Sequence, residues 1–232
     1  MRGNNRPQRK QLPLTPTLSP LKCSHGERGQ PDMSTTSTDD DRTDQRGLAL
    51  VLGAVLGYSL LHAGFRVLAS SSLGEEDPLV NLAVQELRLA YTLPRPPLYE
   101  WLVWAVQQVT GPGIAGFVVI KYGALIATAG FIYASAMRVH GDRIWALLTV
   151  ESLALIYQIA WRYHEGFAHE IPTMAAVAAT VWAALRVATS RPEDGARIGG
   201  FVALGLAIGV GLLSTLTYWV FLASLAIAAS MQ

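Results

Sequence analysis

GLALVLGAVLGYSLLHAGFRVLAS, residues 47–70, carries a single charged side chain, Arg66. At 1.5 Å per residue, a helix of this length crosses a hydrocarbon core of about 30 Å. Its apolar core is too long for an ordinary signal peptide, and no small-residue cleavage site follows it. The segment therefore reads as a permanent membrane span. The rest of the chain agrees with this reading. Of its 232 residues, 51% are hydrophobic, and the mean hydropathy is +0.30. That is too apolar for a soluble domain of this size. The fold class it predicts is all-α, a multi-span transmembrane helix bundle.

Further spans are predicted at residues 113–137, 144–161, 171–187 and 199–214, with the start of a sixth at 218–230. The chain then stops inside apolar sequence, so the membrane domain, residues 47–232, is expected to be incomplete at its C-terminal end. Residues 1–46 read as a polar, disordered leader. Within it QLPLTPTLSPLKCSHGERG, residues 11–29, resembles a translated intergenic repeat. Residues 1–32 are thus expected to be a mis-assigned start ahead of Met33, the alternative being a genuine disordered tail. The formal net charge of +1 gives no nucleic-acid signal. Cys23 is the one cysteine, which excludes an internal disulfide and a cysteine metal site.

Charge placement orients the bundle. Arg42, Arg46, Arg138, Arg143, Arg186, Arg191 and Arg197 fall on one side, which is therefore cytoplasmic. Glu75, Glu76, Asp77, Arg95, Arg162, His164, Glu165, His169 and Glu170 fall on the other. Acids and histidines from two loops thus meet on the outer face. The first outer loop is SSLGEEDPLVNLAVQELRLAYTLPRPPLYEWLVW, residues 71–104. Two interfacial helices are predicted in or beside it. Residues 78–89 present Leu79, Leu82, Ala83 and Leu89 to the bilayer. Residues 97–109 hold Tyr99, Trp101 and Trp104 at belt level.

The loop carries a resemblance. EEDPLVNLAVQELRLAYTLPRPPLYEWLVW places an acidic cluster after the first span, then an amphipathic stretch, a basic residue and PPLY before an aromatic helix. This pattern resembles the first outer loop of polyprenyl-phosphate-dependent glycosyltransferases of the GT-C fold. Protein mannosyltransferases, lipid A aminoarabinose transferases and lipopolysaccharide galacturonosyltransferases belong to that family. HEIPTMAAVAATVWAAL (residues 169–185) and GVGLLSTLTYWVFLASLAIAA (residues 209–229) are similar to later parts of it. The resemblance implies a bacterial inner-membrane enzyme with its active site on the periplasmic side. It would transfer a sugar, with inversion, from a polyprenyl-phosphate donor to a lipid, glycan or protein acceptor. That chemistry needs a general base for the acceptor hydroxyl and a cationic partner for the leaving phosphate.

On this pattern Asp77 is the expected base and Glu76 the second choice, one residue out of register. Arg95 and Lys121 are the phosphate candidates. A cation inside a span is costly unless paired or used, whereas Arg95 could equally snorkel at the interface. Tyr99 could line the lipid groove or anchor at the interface. Glu170 stands where the family has an acid at its fourth span, with His169 beside it. A divalent metal ion is a candidate cofactor, with His164, Glu165, His169 and Glu170 as its ligands. His62 and Glu151, inside spans, read as interhelical hydrogen-bonding groups. Two features depart from the family: Thr215 stands where a lysine is common, and the chain is about half the family's length. The competing readings are an inactive truncated relative and a transporter-like bundle with Lys121, Glu151 and His62 as a polar pathway. A transporter would be expected to show matching halves, and the sequence has none.

Overall fold

A computed structural model describes residues 33–69, 72–73, 77–91, 95–165, 168–191 and 195–231. It is an all-α membrane helix bundle, with no strand among the described residues. Among the described residues, four helices are long and apolar enough to cross a membrane. Their spanning segments are Arg46–Ala69, Ile114–His140, Glu170–Thr189 and Arg197–Ser214.

Helix α1 (Met33–Ala69) begins within the stretch that the sequence reading treats as a polar leader. Residues 1–32 lie outside the described residues. After α1 come two short helices, α2 (Asp77–Ala83) and α3 (Leu98–Thr110). The predicted helix over residues 78–89 is therefore shorter than expected. Past Ala83 side chains take over the backbone hydrogen bonds: Tyr91 donates from its hydroxyl to the Glu86 carbonyl, and Trp101 Nε1–H donates to the Arg88 carbonyl. Along α2, Leu79 and Leu82 are exposed while Val80 and Val84 are buried. The short helix thus turns one apolar face to the bundle and leaves the other exposed.

Helix α4 (Ile114–His140) ends at Gly141, whose φ of 65° is the left-handed conformation that closes a helix at low cost. Asp142 then caps α5 (Arg143–Glu151), accepting a hydrogen bond from Ile144 N–H at 2.7 Å. Here the structure departs from the predicted third span. The apolar run over 144–161 is not one helix. It breaks after Glu151 into a 3₁₀ turn (Ser152–Leu155), an extended residue at Ile156 and a π turn (Gln158–Arg162). The broken segment is still held against α4 at two levels. Ala146 and Val150 pack with Val51 and Tyr133, whereas Tyr163, opening α6 (Tyr163–Glu165), donates its hydroxyl to the Lys121 carbonyl at 2.7 Å. Lys121 and Tyr133 lie about 18 Å apart along α4 at 1.5 Å per residue.

Helices α7 (Glu170–Thr189), α8 (Gly195–Ser214) and α9 (Tyr218–Ser230) complete the bundle. Small buried residues, Ala176, Ala178 and Ala183 on α7 and Gly200 on α8, let backbones approach closely, as packing without a hydrophobic driving force requires. Thr180 and Tyr218 share a buried hydroxyl–hydroxyl bond of 2.6 Å across α7 and α9. The larger core cluster joins Val80 and Val84 to Tyr99, Val103, Phe117 and Ile171. It thereby fixes α2 and α3 onto one end of α4 and α7.

Candidate functional site

At that end three elements bring buried charges together. Asp77, the first residue of α2, is 6% exposed, and Lys121, in the second turn of α4, is 7% exposed. Lys121 Nζ lies 3.7 Å from Asp77 Oδ2. The fully buried Tyr99, in the first turn of α3, donates its hydroxyl to Asp77 Oδ1 at 3.4 Å. Burial and the adjacent carboxylate push the Tyr99 phenol well above its ordinary value, so it remains a neutral donor. An ion pair removed from water is costly to build unless geometry and hydrogen bonds offset the desolvation. Two polar partners on one carboxylate supply part of that compensation.

A second buried acid lies beside the first. Glu100 is 3% exposed, and His169 is 6% exposed. His169 Nε2 lies 3.0 Å from Glu100 Oε1. On its other nitrogen, Nδ1, His169 faces Arg95 Nη1 at 3.4 Å. The His169 ring also packs 5.3 Å from that of Tyr99. Tyr99 therefore sits between the Asp77–Lys121 pair and the Glu100–His169 pair.

The structure thus gathers Asp77, Tyr99, Lys121, Arg95 and His169 into one region. Tyr99 is buried and bonded to Asp77, rather than lying at an interface. Glu170 is placed elsewhere: it is exposed, accepts from Ala168 N–H at 3.4 Å, and borders an apolar cavity of about 610 Å³ between α4, α5 and α7. Glu76 and the side chain of Glu165 lie outside the described residues. The histidines expected to share a metal are held by different partners, and no group of three or more metal-ligating side chains occurs among the described residues. Glu100 was not among the expected site residues. Its one sequence signal is that it is the single charged residue of α3 and lies in that helix's first turn.

His164 belongs to a separate polar cluster. It lies 2.7 Å from the Tyr58 hydroxyl through Nε2 and 3.1 Å from that of Tyr122 through Nδ1. The ring of His62 stacks on it at 4.6 Å. His62 also contacts the Tyr58 carbonyl of its own helix at 3.4 Å. Glu151, exposed, lines a cavity of about 430 Å³ with Tyr58. Burial first, then the positive charges of His62 and Lys121, lower the His164 pKa to about 4. The tyrosines around it, Tyr58, Tyr122 and Tyr163, carry no charge. An unfolded histidine titrates near 6.5, so the unfolded chain binds more protons between the two values. Stability contributed by neutral His164 is present above about pH 6.5 and declines as pH falls towards 4. The midpoint of thermal unfolding in detergent should therefore drop across that window. His164→Gln should flatten the drop, and an identical slope in the variant would refute this assignment.

Comparison with known proteins bears on this arrangement. The family model for dolichyl-phosphate-mannose-protein mannosyltransferase matches residues 94–232, a stretch that holds Arg95, Tyr99, Glu100, Lys121 and His169 but begins after Asp77. The lipopolysaccharide core galacturonosyltransferase RgtA of Rhizobium johnstonii is 27% identical over 157 residues, which are 68% of this chain and 30% of that protein. RgtB of the same organism, a second lipopolysaccharide core galacturonosyltransferase, is 22% identical over 187 residues, 81% of this chain and 37% of its own length. The chain thus spans only about a third of the curated relatives it matches. No solved structure matches it.

Proposed function

Since the chain belongs to the dolichyl-phosphate-mannose-protein mannosyltransferase family, we propose that it forms the donor-side part of a membrane glycosyltransferase. The enzyme moves a sugar from a polyprenyl phosphate to an acceptor on the outer face of the bacterial inner membrane. The observation that carries this reading is the buried Asp77–Lys121 pair at the end of the bundle formed by the first outer loop. The acceptor hydroxyl attacks the anomeric carbon, the bond from that carbon to the phosphate oxygen breaks, and the hydroxyl proton passes to Asp77. The lipid phosphate leaves with the bonding electrons. Lys121 and Arg95 face that growing charge, the kind of preset electrostatic stabilisation that lowers barriers most. Tyr99 orients Asp77 through its hydroxyl. The names of the two relatives make a galacturonosyl donor and a lipopolysaccharide core acceptor the first pair to test.

The reading is tested with membranes containing the protein, a labelled polyprenyl-phosphate sugar and lipopolysaccharide lacking the terminal sugar. Label should move to the acceptor only when the protein is present. No transfer from galacturonosyl or aminoarabinosyl donors would count against it.

Orientation is a separate prediction, resting on the arginine asymmetry. Gln85 and His140 are exposed residues near opposite ends of the bundle. With Cys23→Ser as background, Gln85→Cys should react with an impermeant thiol reagent on intact spheroplasts. His140→Cys should react only after permeabilisation. The reverse pattern would invert the topology and remove the site from the outer face.

A further inference from the structure

Glu100 has no task in the transfer step above, yet it is almost fully buried and its Oε2 has no hydrogen-bond partner among the described residues. An unsatisfied buried carboxylate oxygen is costly, and such groups concentrate where charge is used. The chemistry of its neighbours gives it a direction. A guanidinium can only donate, so in the Arg95 contact His169 Nδ1 is the acceptor. The ring proton then sits on Nε2 and is donated to Glu100 Oε1. A carboxylate on one ring nitrogen sets the tautomer and hence what the other nitrogen can hold. Arg95 itself is exposed while His169 is buried, so the guanidinium is the reachable end of this chain.

We propose that Glu100 is a positioning residue: by holding His169 in the Nε2-protonated form, it presets Arg95 as an anion-binding cation at the Tyr99 end of the site. The proposal rests on the reading of that site as one for a lipid phosphate.

Two measurements on the full chain in nanodiscs test it. The first is binding of undecaprenyl phosphate, with inorganic phosphate as a second probe to separate lipid from free anion. Arg95→Ala and Glu100→Ala should each weaken lipid-phosphate binding about tenfold, the change expected for one charge-assisted hydrogen bond. The double variant should bind no more weakly than Arg95→Ala alone. Glu100→Gln keeps an acceptor oxygen and should stay within about threefold of the parent, well short of the loss of a charged hydrogen bond. If Glu100→Ala costs the same factor with and without Arg95, Glu100 acts structurally and the proposal fails. The second measurement is nitrogen NMR of His169, assigned by difference with His169→Asn. In Arg95→Ala the ring should remain protonated at Nε2, and in Arg95→Ala/Glu100→Ala it should become a tautomer mixture. Unchanged ring signals in the double variant overturn the proposal. A parent protein that binds no lipid phosphate, with the NMR result as expected, sinks the donor reading and leaves the positioning role standing.

Discussion

Replacing Asp77 by Asn should lower sugar transfer by about 10²–10⁴-fold, the usual cost of losing a positioned general base. The substitution nearly preserves shape and keeps an acceptor for the Tyr99 hydroxyl, so the group lost is the carboxylate itself. Because Asp77 also neutralises Lys121, the variant leaves a buried ammonium unmatched. Rates must therefore be expressed per folded protein, measured by monodispersity in detergent. Glu76→Gln is the register control. If it abolishes transfer while Asp77→Asn stays active, the base lies one residue earlier. Tyr99→Phe removes a hydrogen bond but no charge and should cost far less than Asp77→Asn. If neither acid variant changes transfer by more than about threefold, below the general-base range, the acidic cluster only marks where the chain leaves the membrane.

The residues legible in the sequence were those whose signal is local. Apolar length alone located the four spans, because a 20-residue run must satisfy its backbone as a helix in lipid. Asp77, Arg95 and Tyr99 became candidates through the first loop's resemblance to the family, and Lys121 because a cation within an apolar helix demands a partner; the structure brings the four into one region. The break after Glu151 was not legible. The run over 144–161 contains neither Gly nor Pro, so propensity gave no stop. Such 3₁₀ and π turns answer to packing instead: the segment is pinned at one end by the Val51–Tyr133 cluster and at the other by the Tyr163–Lys121 bond. Glu100 was missed for a related reason. It follows Tyr99 directly, and an acid in the first turn of a helix reads as a favourable charge at the helix dipole. Its partner His169 lies 69 residues away, and no periodicity joins the two. The sequence reading chose Glu170 because it stands where the resembling family has an acid at its fourth span, but it and His169, being adjacent on the chain, point some 100° apart around a helix. In the structure His169 turns into the bundle and Glu170 turns away.

The site's ion pair should also govern stability, and Lys121→Met is the variant that exposes it. Met matches the lysine stem in length and flexibility, so packing along α4 changes little. What it leaves is a carboxylate that is 6% exposed and has lost its lysine. Breaking a buried pair by removing one member typically costs about 3–5 kcal/mol, because the remaining charge is uncompensated. Removing both members together is often near neutral. Lys121→Met should therefore markedly lower the unfolding midpoint in detergent, and Asp77→Asn should lower it less, since a flexible ammonium can reach more polar neighbours than a short carboxylate can. The double variant, Asp77→Asn/Lys121→Met, should recover most of the loss while remaining inactive. That split distinguishes the stability contribution of the pair from the catalytic roles proposed for it: charge balance is restored by a neutral pair, whereas the proposed proton transfer and phosphate binding need the charges themselves. A double variant whose destabilisation equals the sum of the single losses would mean that the two groups are not coupled. In that case the 3.7 Å separation between Lys121 and Asp77 would be a coincidence of packing, and Lys121 would need another anion to justify its place inside the membrane.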